Sequence, residues 1–267
     1  MALGFAGGRG KGALMELHAI ADFRVLGESD DWIVVDKPAP LIVHPANGKI
    51  EPNLLGGVET LLMFEMENGA ALSIITRLDR ETSGVVLIAK HRDAARDLSR
   101  IFERREARKE YLAIVHGWPK FDTWTSDAPI LRAGEIEPSR IWLRQMVHPE
   151  GRECETGFWV ERRFRRDGRE FALVRCFPKT GRMHQIRVHL AHSGYPIVGD
   201  KLYSGDGSEY LEWIRDDWTP ELHERLLMRR HALHAALLGV PWQGREVVWE
   251  SELSPDLAAF MASGDLE

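Results

Sequence analysis

The chain has 267 residues, 44% of them apolar, and a formal net charge of −6. That length allows one large domain or two small ones with a packed core. No run of about 18 uncharged apolar residues is present to cross a membrane, residues 1–12 lack the apolar centre of a secretory leader, and Cys154 and Cys176 are too few for a disulfide framework.

A soluble, cytoplasmic protein is expected. The negative charge argues against a nucleic-acid partner until its distribution is considered. Residues 206–224 carry seven acids against Arg215, and residues 250–267 carry five acids with no Lys or Arg. The rest of the chain is net positive, and Arg outnumbers Lys 27 to 8. Guanidinium suits phosphate forks and base stacking better than ammonium does.

Residues 1–20 read as a flexible arm. Its Gly7-Gly8-Arg9-Gly10-Lys11-Gly12 run is not a phosphate-binding loop, because the spacing is wrong and Gly12 stands where Ser or Thr is required. Residues 23–45 predict two short strands and a turn, stopped by Lys37-Pro38-Ala39-Pro40. A short helix is expected over 58–66. A strand over 72–75 leads to the turn at Asp79, and 85–89 is an apolar strand buried on both faces.

The clearest helix lies over 93–108, with Ala94, Leu98, Ile101 and Phe102 as its apolar stripe. Its charges form a solvated face with ion pairs such as Asp97 with Arg100. A strand follows over 110–115. Residues 156–164 and 169–177 form a hairpin around Arg165-Arg166-Asp167-Gly168, where Asp-Gly is a strong turn signal. A helix spans 183–192, ended by Ser193-Gly194 and Pro196. Residues 206–224 read as an acidic surface insertion. Strands over 230–238 and 247–249 and a short helix from 255 complete the chain. Hairpin-style turns instead of regular βαβ units favour an α+β fold with a largely antiparallel sheet.

Chemistry concentrates in Arg77-Leu78-Asp79-Arg80-Glu81-Thr82-Ser83-Gly84. Asp79 sits between two arginines before a small polar turn, where it either caps the turn or acts as a reactive acid. Arg187, on the 183–192 helix, partly faces the apolar side and needs a buried anion. Asp79 is the natural candidate, held ionised by the pair. Tyr111 offers an aromatic face on which a flipped base can stack. Arg182, at the Thr180-Gly181 turn, suits a phosphate or carboxylate. His184, His189 and His192 lack the spacing and companions of a zinc site and read as scattered polar histidines. The two cysteines read as buried thiols.

Together these segments resemble the RluA-type family of pseudouridine synthases. The resemblance rests on Arg77-Leu78-Asp79-Arg80-Glu81-Thr82-Ser83-Gly84, on Lys109-Glu110-Tyr111, and on Thr180-Gly181-Arg182-Met183-His184-Gln185-Ile186-Arg187 followed by Val198-Gly199-Asp200-Lys201-Leu202-Tyr203. Val35-Asp36-Lys37-Pro38 with Val43-His44-Pro45, and Arg230-His231-Ala232-Leu233-His234-Ala235, complete the set in family order. Thr76 departs from a frequent His, and Met183 from a frequent Thr.

The resemblance implies the family's catalytic fold: a largely antiparallel mixed sheet flanked by helices, with a central cleft. It implies one catalytic domain over 21–267 and no cofactor or metal; with about 20 residues before that domain no S4 domain is expected, and a monomer is the default expectation. The partner implied is RNA, either tRNA or rRNA. Asp79 would be the nucleophile or its functional equivalent, acting on sugar or base or removing a sugar proton to give a glycal. Tyr111 would stack on the uracil and serve as base for the C5 proton, and Arg187 would pair with Asp79. Arg77, Arg80, Arg182 and His184 are the expected substrate contacts, with Arg77 or Arg80 filling the space a flipped base leaves. Two other readings are a non-catalytic RNA-binding protein of this fold and a glycoside hydrolase. The hydrolase needs a second acid, for which Asp36 and Asp200 are the candidates.

Overall fold

The structure, a computed structural model, describes residues 22–45 and 51–263 together with a short strand at Asp265–Leu266. The arm expected over 1–20 lies outside the described residues. The strands are β1 (Arg24–Glu28), β2 (Trp32–Lys37), β3 (Ser73–Ile74), β4 (Ser83–Ala89), β5 (Arg108–His116), β6 (Thr123–Ser126), β7 (Ile130–Arg132), β8 (Gln145–Val147), β9 (Thr156–Arg166), β10 (Arg169–Pro178), β11 (Leu233–Trp242), β12 (Arg245–Glu250) and β13 (Asp265–Leu266). The helices are α1 (Leu54–Leu61), α2 (Met63–Glu67), α3 (Arg92–Glu103), α4 (Gln185–His192), α5 (Ser208–Asp216), α6 (Pro220–Leu226) and α7 (Pro255–Ala262).

One large sheet runs β1-β2-β4-β11-β5-β10-β9-β13, and β7 with β8 forms a separate two-stranded arm. Every pairing along the large sheet is antiparallel except β4 with β11, where Ser83 faces His234 and Gly84 faces Ala235. This parallel pair positions the site. The loop preceding β4 carries Asp79 and the loop preceding β11 carries Arg230 and His231, so the two lie side by side at one end of the sheet. β5 joins them antiparallel, with Tyr111 opposite Ala235 on one side and Cys176 on the other. The last residues of β10, which lead to α4, reach the same end.

β4 is buried along its whole length. It packs Val86 and Ile88 into one apolar cluster and Val85, Leu87 and Ala89 into another, as its unbroken apolar run predicts. Burying such a side chain stabilises by about 1.5–3 kcal/mol. Ala94 and Leu98 of α3 close the second cluster. The largest cluster joins β5, β9 and β10 to Ile186 and Leu190 of α4, and so seats that helix on the sheet.

Several boundaries depart from expectation. The helix expected to reach residue 108 ends at Glu103, because Arg105 adopts a positive φ of 60° and Arg108 already belongs to β5. The helix expected from 183 begins at Gln185, because His184 is left-handed at φ 56°. The single helix expected over 58–66 is two, broken at Leu62. In the β9–β10 hairpin the turn is the two residues Asp167 and Gly168, with φ 50° and 73°. Both being positive marks a type I′ turn, and each strand extends to meet it. Residues 208–226 form α5 and α6, with Leu222 and Leu226 buried.

Candidate active site

A cleft of about 570 Å³ opens at the end of the sheet where these loops meet. Asp79, Arg77, Arg80, Tyr111, Arg182, His184 and Arg187 all line it, so one cavity holds every site residue expected from the sequence. Asp79 is the one carboxylate among its described lining residues, against the cations Arg77, Arg80, Lys109, Arg182 and Arg187. A chain of net negative charge therefore presents a positive cleft.

The Asp79 carboxylate does not cap its turn. The backbone closes the turn, with Thr82 N–H donating to Asp79 O at 3.1 Å, and the side chain instead accepts from Arg187 Nη1 at 2.8 Å. Burial, the largest single influence, would raise the Asp79 pKa, but the charge and hydrogen bond of Arg187 and the smaller contributions beside them, Lys37 among them, together outweigh it and hold the carboxyl below the ordinary range. About a third of the Asp79 side chain remains exposed to the cleft.

Arg187 is itself almost fully buried, and the sequence left its second partner unassigned. Its Nε and Nη2 donate to Asp200 Oδ2 and Oδ1 at 2.7 and 2.9 Å. Asp200 is fully buried and also accepts from the Leu202 and Tyr203 amides. Burial opposes the charge on Arg187, yet the two carboxylates, Asp200 foremost, raise its pKa above that of free arginine. Asp200 is thus an anchor for Arg187 and not a second catalytic acid. Asp36, the other candidate, pairs with Arg24 at 3.2 Å and does not line the cleft.

The Asp79 loop is held from both sides. On one side, Lys37, with no exposed surface, donates from Nζ to the carbonyls of Pro38, Leu41 and Arg80 at 2.9, 2.8 and 3.2 Å. Burial, followed by the charge of Arg230, lowers its pKa to about 7. On the other side, Arg230 donates to Glu81 O, Thr82 Oγ1 bonds His231 Nε2 at 2.7 Å, and Ser83 Oγ bonds His234 Nδ1 at 2.9 Å. Lys201 is buried and ion-paired to Glu81 at 2.7 Å. The roles of Lys37, Asp200, Lys201 and His231 escaped sequence reasoning. The signal present was their place inside the quoted motifs.

Tyr111 is half-buried in β5, and burial, followed by the charge of Asp79, pushes its hydroxyl up to about 12. Lys109 lines the same wall and donates to Thr180 O at 3.0 Å, and burial lowers its pKa to about 8. Gln185 holds the same Thr180 segment from its side chain. Its Oε1 accepts from Thr180 Oγ1 and the Arg182 amide, and its Nε2 donates to Glu155 O and Thr156 Oγ1.

Arg182 is exposed at the rim and donates to Glu153 O at 3.3 Å. Arg80 is exposed and paired with Glu51 at 3.3 Å, while Arg77 is exposed and in no ion pair among the described residues. The unexpected Thr76 accepts from Leu87 N–H at 2.9 Å, and the unexpected Met183 is a partly exposed rim residue.

The histidines read as scattered polar residues are not alike. His189 is fully buried, bonding Thr156 Oγ1 through Nδ1 and Ala128 O through Nε2, each at 2.9 Å. Among the described residues no three His, Cys, Asp or Glu are grouped to hold a metal ion, and no helix is long and apolar enough to cross a membrane. Cys154 and Cys176 are buried free thiols. The arginine-rich tip of the β9–β10 hairpin lies a full strand from the cleft, about 30 Å at 3.3 Å per residue. There Arg163 pairs with Asp122 and Arg165 with Glu170.

A family profile described as RNA pseudouridylate synthase matches residues 31–192. The ribosomal large subunit pseudouridine synthase C of Salmonella typhimurium is 37% identical over 92% of this chain and 70% of its own length. Synthase D of Xanthomonas campestris is 35% identical over 90% and 68%. An uncharacterized RNA pseudouridine synthase of Aquifex aeolicus is 36% identical over 67% of this chain and 55% of its own length. The chain thus spans between about half and 70% of these relatives. Two solved human structures, RNA pseudouridylate synthase domain containing 1 and 4, share the fold at TM-scores of 0.70 and 0.69, with 23% identity each. The first covers 95% of this chain and 92% of its own, the second 90% and 92%. The chain belongs to the RNA pseudouridylate synthase family, in its RluA-type branch.

Proposed function

We propose that this protein isomerises a uridine in RNA to pseudouridine, with Asp79 as the catalytic carboxylate. The observation that carries the reading is an ionised acid on the floor of a positive cleft, held by a buried arginine and lying beside an aromatic ring. The N1–C1′ bond breaks, the uracil turns within the cleft, and C5 bonds to C1′; the proton leaves C5 and N1 gains one. Attack by Asp79 and removal of a sugar proton by it both use the same carboxylate in the same place.

A uridine in a duplex must leave the stack to reach Asp79. Tyr111 supplies the face it stacks on. Its raised pKa keeps the phenol protonated near neutrality, which favours stacking over proton abstraction as its main contribution. Arg77, unlike Arg80, is in no ion pair among the described residues and is the better candidate to fill the vacated space. The names of the relatives favour large-subunit ribosomal RNA as substrate over tRNA.

Tritium release from RNA labelled at uracil C5 tests the reading. Release from wild type and none from Asp79→Asn is expected. Free uracil as product would establish a hydrolase, and binding without release a non-catalytic RNA-binding protein. Pseudouridine mapping in RNA from cells lacking the protein would identify the target.

A further inference from the structure

His184 occupies an unusual backbone state for a non-glycine residue, left-handed at φ 56°. That conformation turns its ring back towards Asp79. Nε2 lies 3.8 Å from Asp79 Oδ2, too far for a direct hydrogen bond. Nδ1 lies 2.7 Å from the hydroxyl of Tyr203, and that hydroxyl accepts the backbone N–H of Gln145 at 2.9 Å.

The direction of this chain follows from donor arithmetic. A backbone N–H only donates, so the Tyr203 oxygen accepts from Gln145, and the proton of this buried hydroxyl finds its acceptor, among its described partners, at Nδ1. Nδ1 then accepts, and the ring proton sits on Nε2. The ring is neutral: burial, followed by the charge of Arg187, lowers the His184 pKa to about 4, although Asp79 and Asp200 pull the other way. The Tyr203 ring stands T-shaped to His184 at 5.6 Å and lies beneath the Arg187 guanidinium at 5.0 Å. It therefore braces both groups that face Asp79.

We infer that His184, held as its Nε2–H tautomer by Tyr203 and Gln145, donates a hydrogen bond to an acceptor oxygen of the target nucleotide lodged beside Asp79. This rests on the pseudouridine synthase reading and deepens it. His184 is then a substrate-touching donor, and Tyr203 is a positioning residue acting through it. Gln145 begins β8, so the small β7–β8 arm reaches His184, beside Asp79, through one hydrogen-bond chain.

Nitrogen-15 NMR of the imidazole rings, on the full chain, reads the tautomer without any turnover. Wild type should show His184 protonated at Nε2 alone, and Tyr203→Phe a mixture of tautomers. In turnover, Tyr203→Phe should lower kcat on the order of ten- to a hundredfold with KM little changed, as for a misaligned donor. His184→Asn, which tolerates the left-handed backbone, should lose about a hundredfold in kcat.

An Nδ1–H tautomer or an imidazolium in wild type at neutral pH overturns the proposal, as does an unchanged kcat in either variant. If Tyr203→Phe does not fold, the wild-type spectrum and His184→Asn still decide. If wild type releases no tritium from any RNA, the functional reading fails while the tautomer result stands by itself.

Discussion

Arg187 binds Asp200 through two hydrogen bonds and turns its remaining Nη1 to Asp79. The guanidinium is therefore anchored by one carboxylate and presented to another. The two carboxylates differ in exposure, Asp200 having none and Asp79 about a third of its side chain. That difference separates structural from chemical duty.

Removing Arg187 should harm the fold more than removing Asp79 does. Arg187→Ala leaves the Asp200 charge buried with only backbone donors, a loss of about 3–5 kcal/mol. Asp79→Asn leaves the Asp200 pair intact and should shift stability by less than about 1 kcal/mol. Urea denaturation of the two variants checks this; equal losses would show that Arg187 is not anchored through Asp200.

The parallel junction of β4 and β11 should tolerate no side chain at Gly84. Its φ is 110°, and an added Cβ would meet the Ala235 backbone, with the amide nitrogen at 2.7 Å. Gly84→Ala should cost about 2–4 kcal/mol and lower kcat, because the displaced strand carries the Asp79 loop. A thermal melt within error of wild type would contradict the register.

Activity should be insensitive to acid over an unusually wide range. The folded-state pKa of Asp79 lies below its unfolded value of roughly 3.9. Its stabilising contribution is therefore complete above about pH 4 and is lost as pH falls through the lower folded value. The acid limb of kcat/KM should lie below about pH 4. A limb between 5 and 7 would mean that another group controls the rate.

On the alkaline side two cations titrate in turn, Lys37 at about pH 7 and Lys109 at about pH 8. Lys109 has a pKa of about 8, lowered by burial and then by Arg105, so it is charged below that pH and neutral above it. kcat should begin to fall at about pH 7 as Lys37 releases the Asp79 loop, and KM for RNA should rise separately as pH passes about 8. Lys109→Arg, charged throughout, should abolish the rise.

Arg77 and Arg80 should separate in salt titrations. Arg77→Ala removes an exposed cation in no ion pair among the described residues, and should reduce the slope of log affinity against log salt by about 0.7–0.9. Arg80→Ala also frees Glu51 and should change the slope less. The reverse order would assign Arg80 as the RNA contact.

Much of this molecule was legible before any coordinates. The apolar run of β4, the Asp167-Gly168 turn and the order of the motifs express local preferences that the tertiary structure reinforces. The pairing of Asp79 with Arg187 was also inferable, since an arginine on the apolar side of a helix requires an anion. Other features were not legible. Asp200 lies thirteen residues from Arg187 and looked equally suited to be an acid; total burial and a two-pronged ion pair made it an anchor. Lys37 reads locally as an exposed strand end, yet three carbonyls from two segments enclose its ammonium. His184 was expected inside a helix and instead precedes it. In each case the deciding quantity was burial or the direction of a hydrogen bond. Both depend on which distant segments the sheet brings to one end, and local sequence carries no record of that.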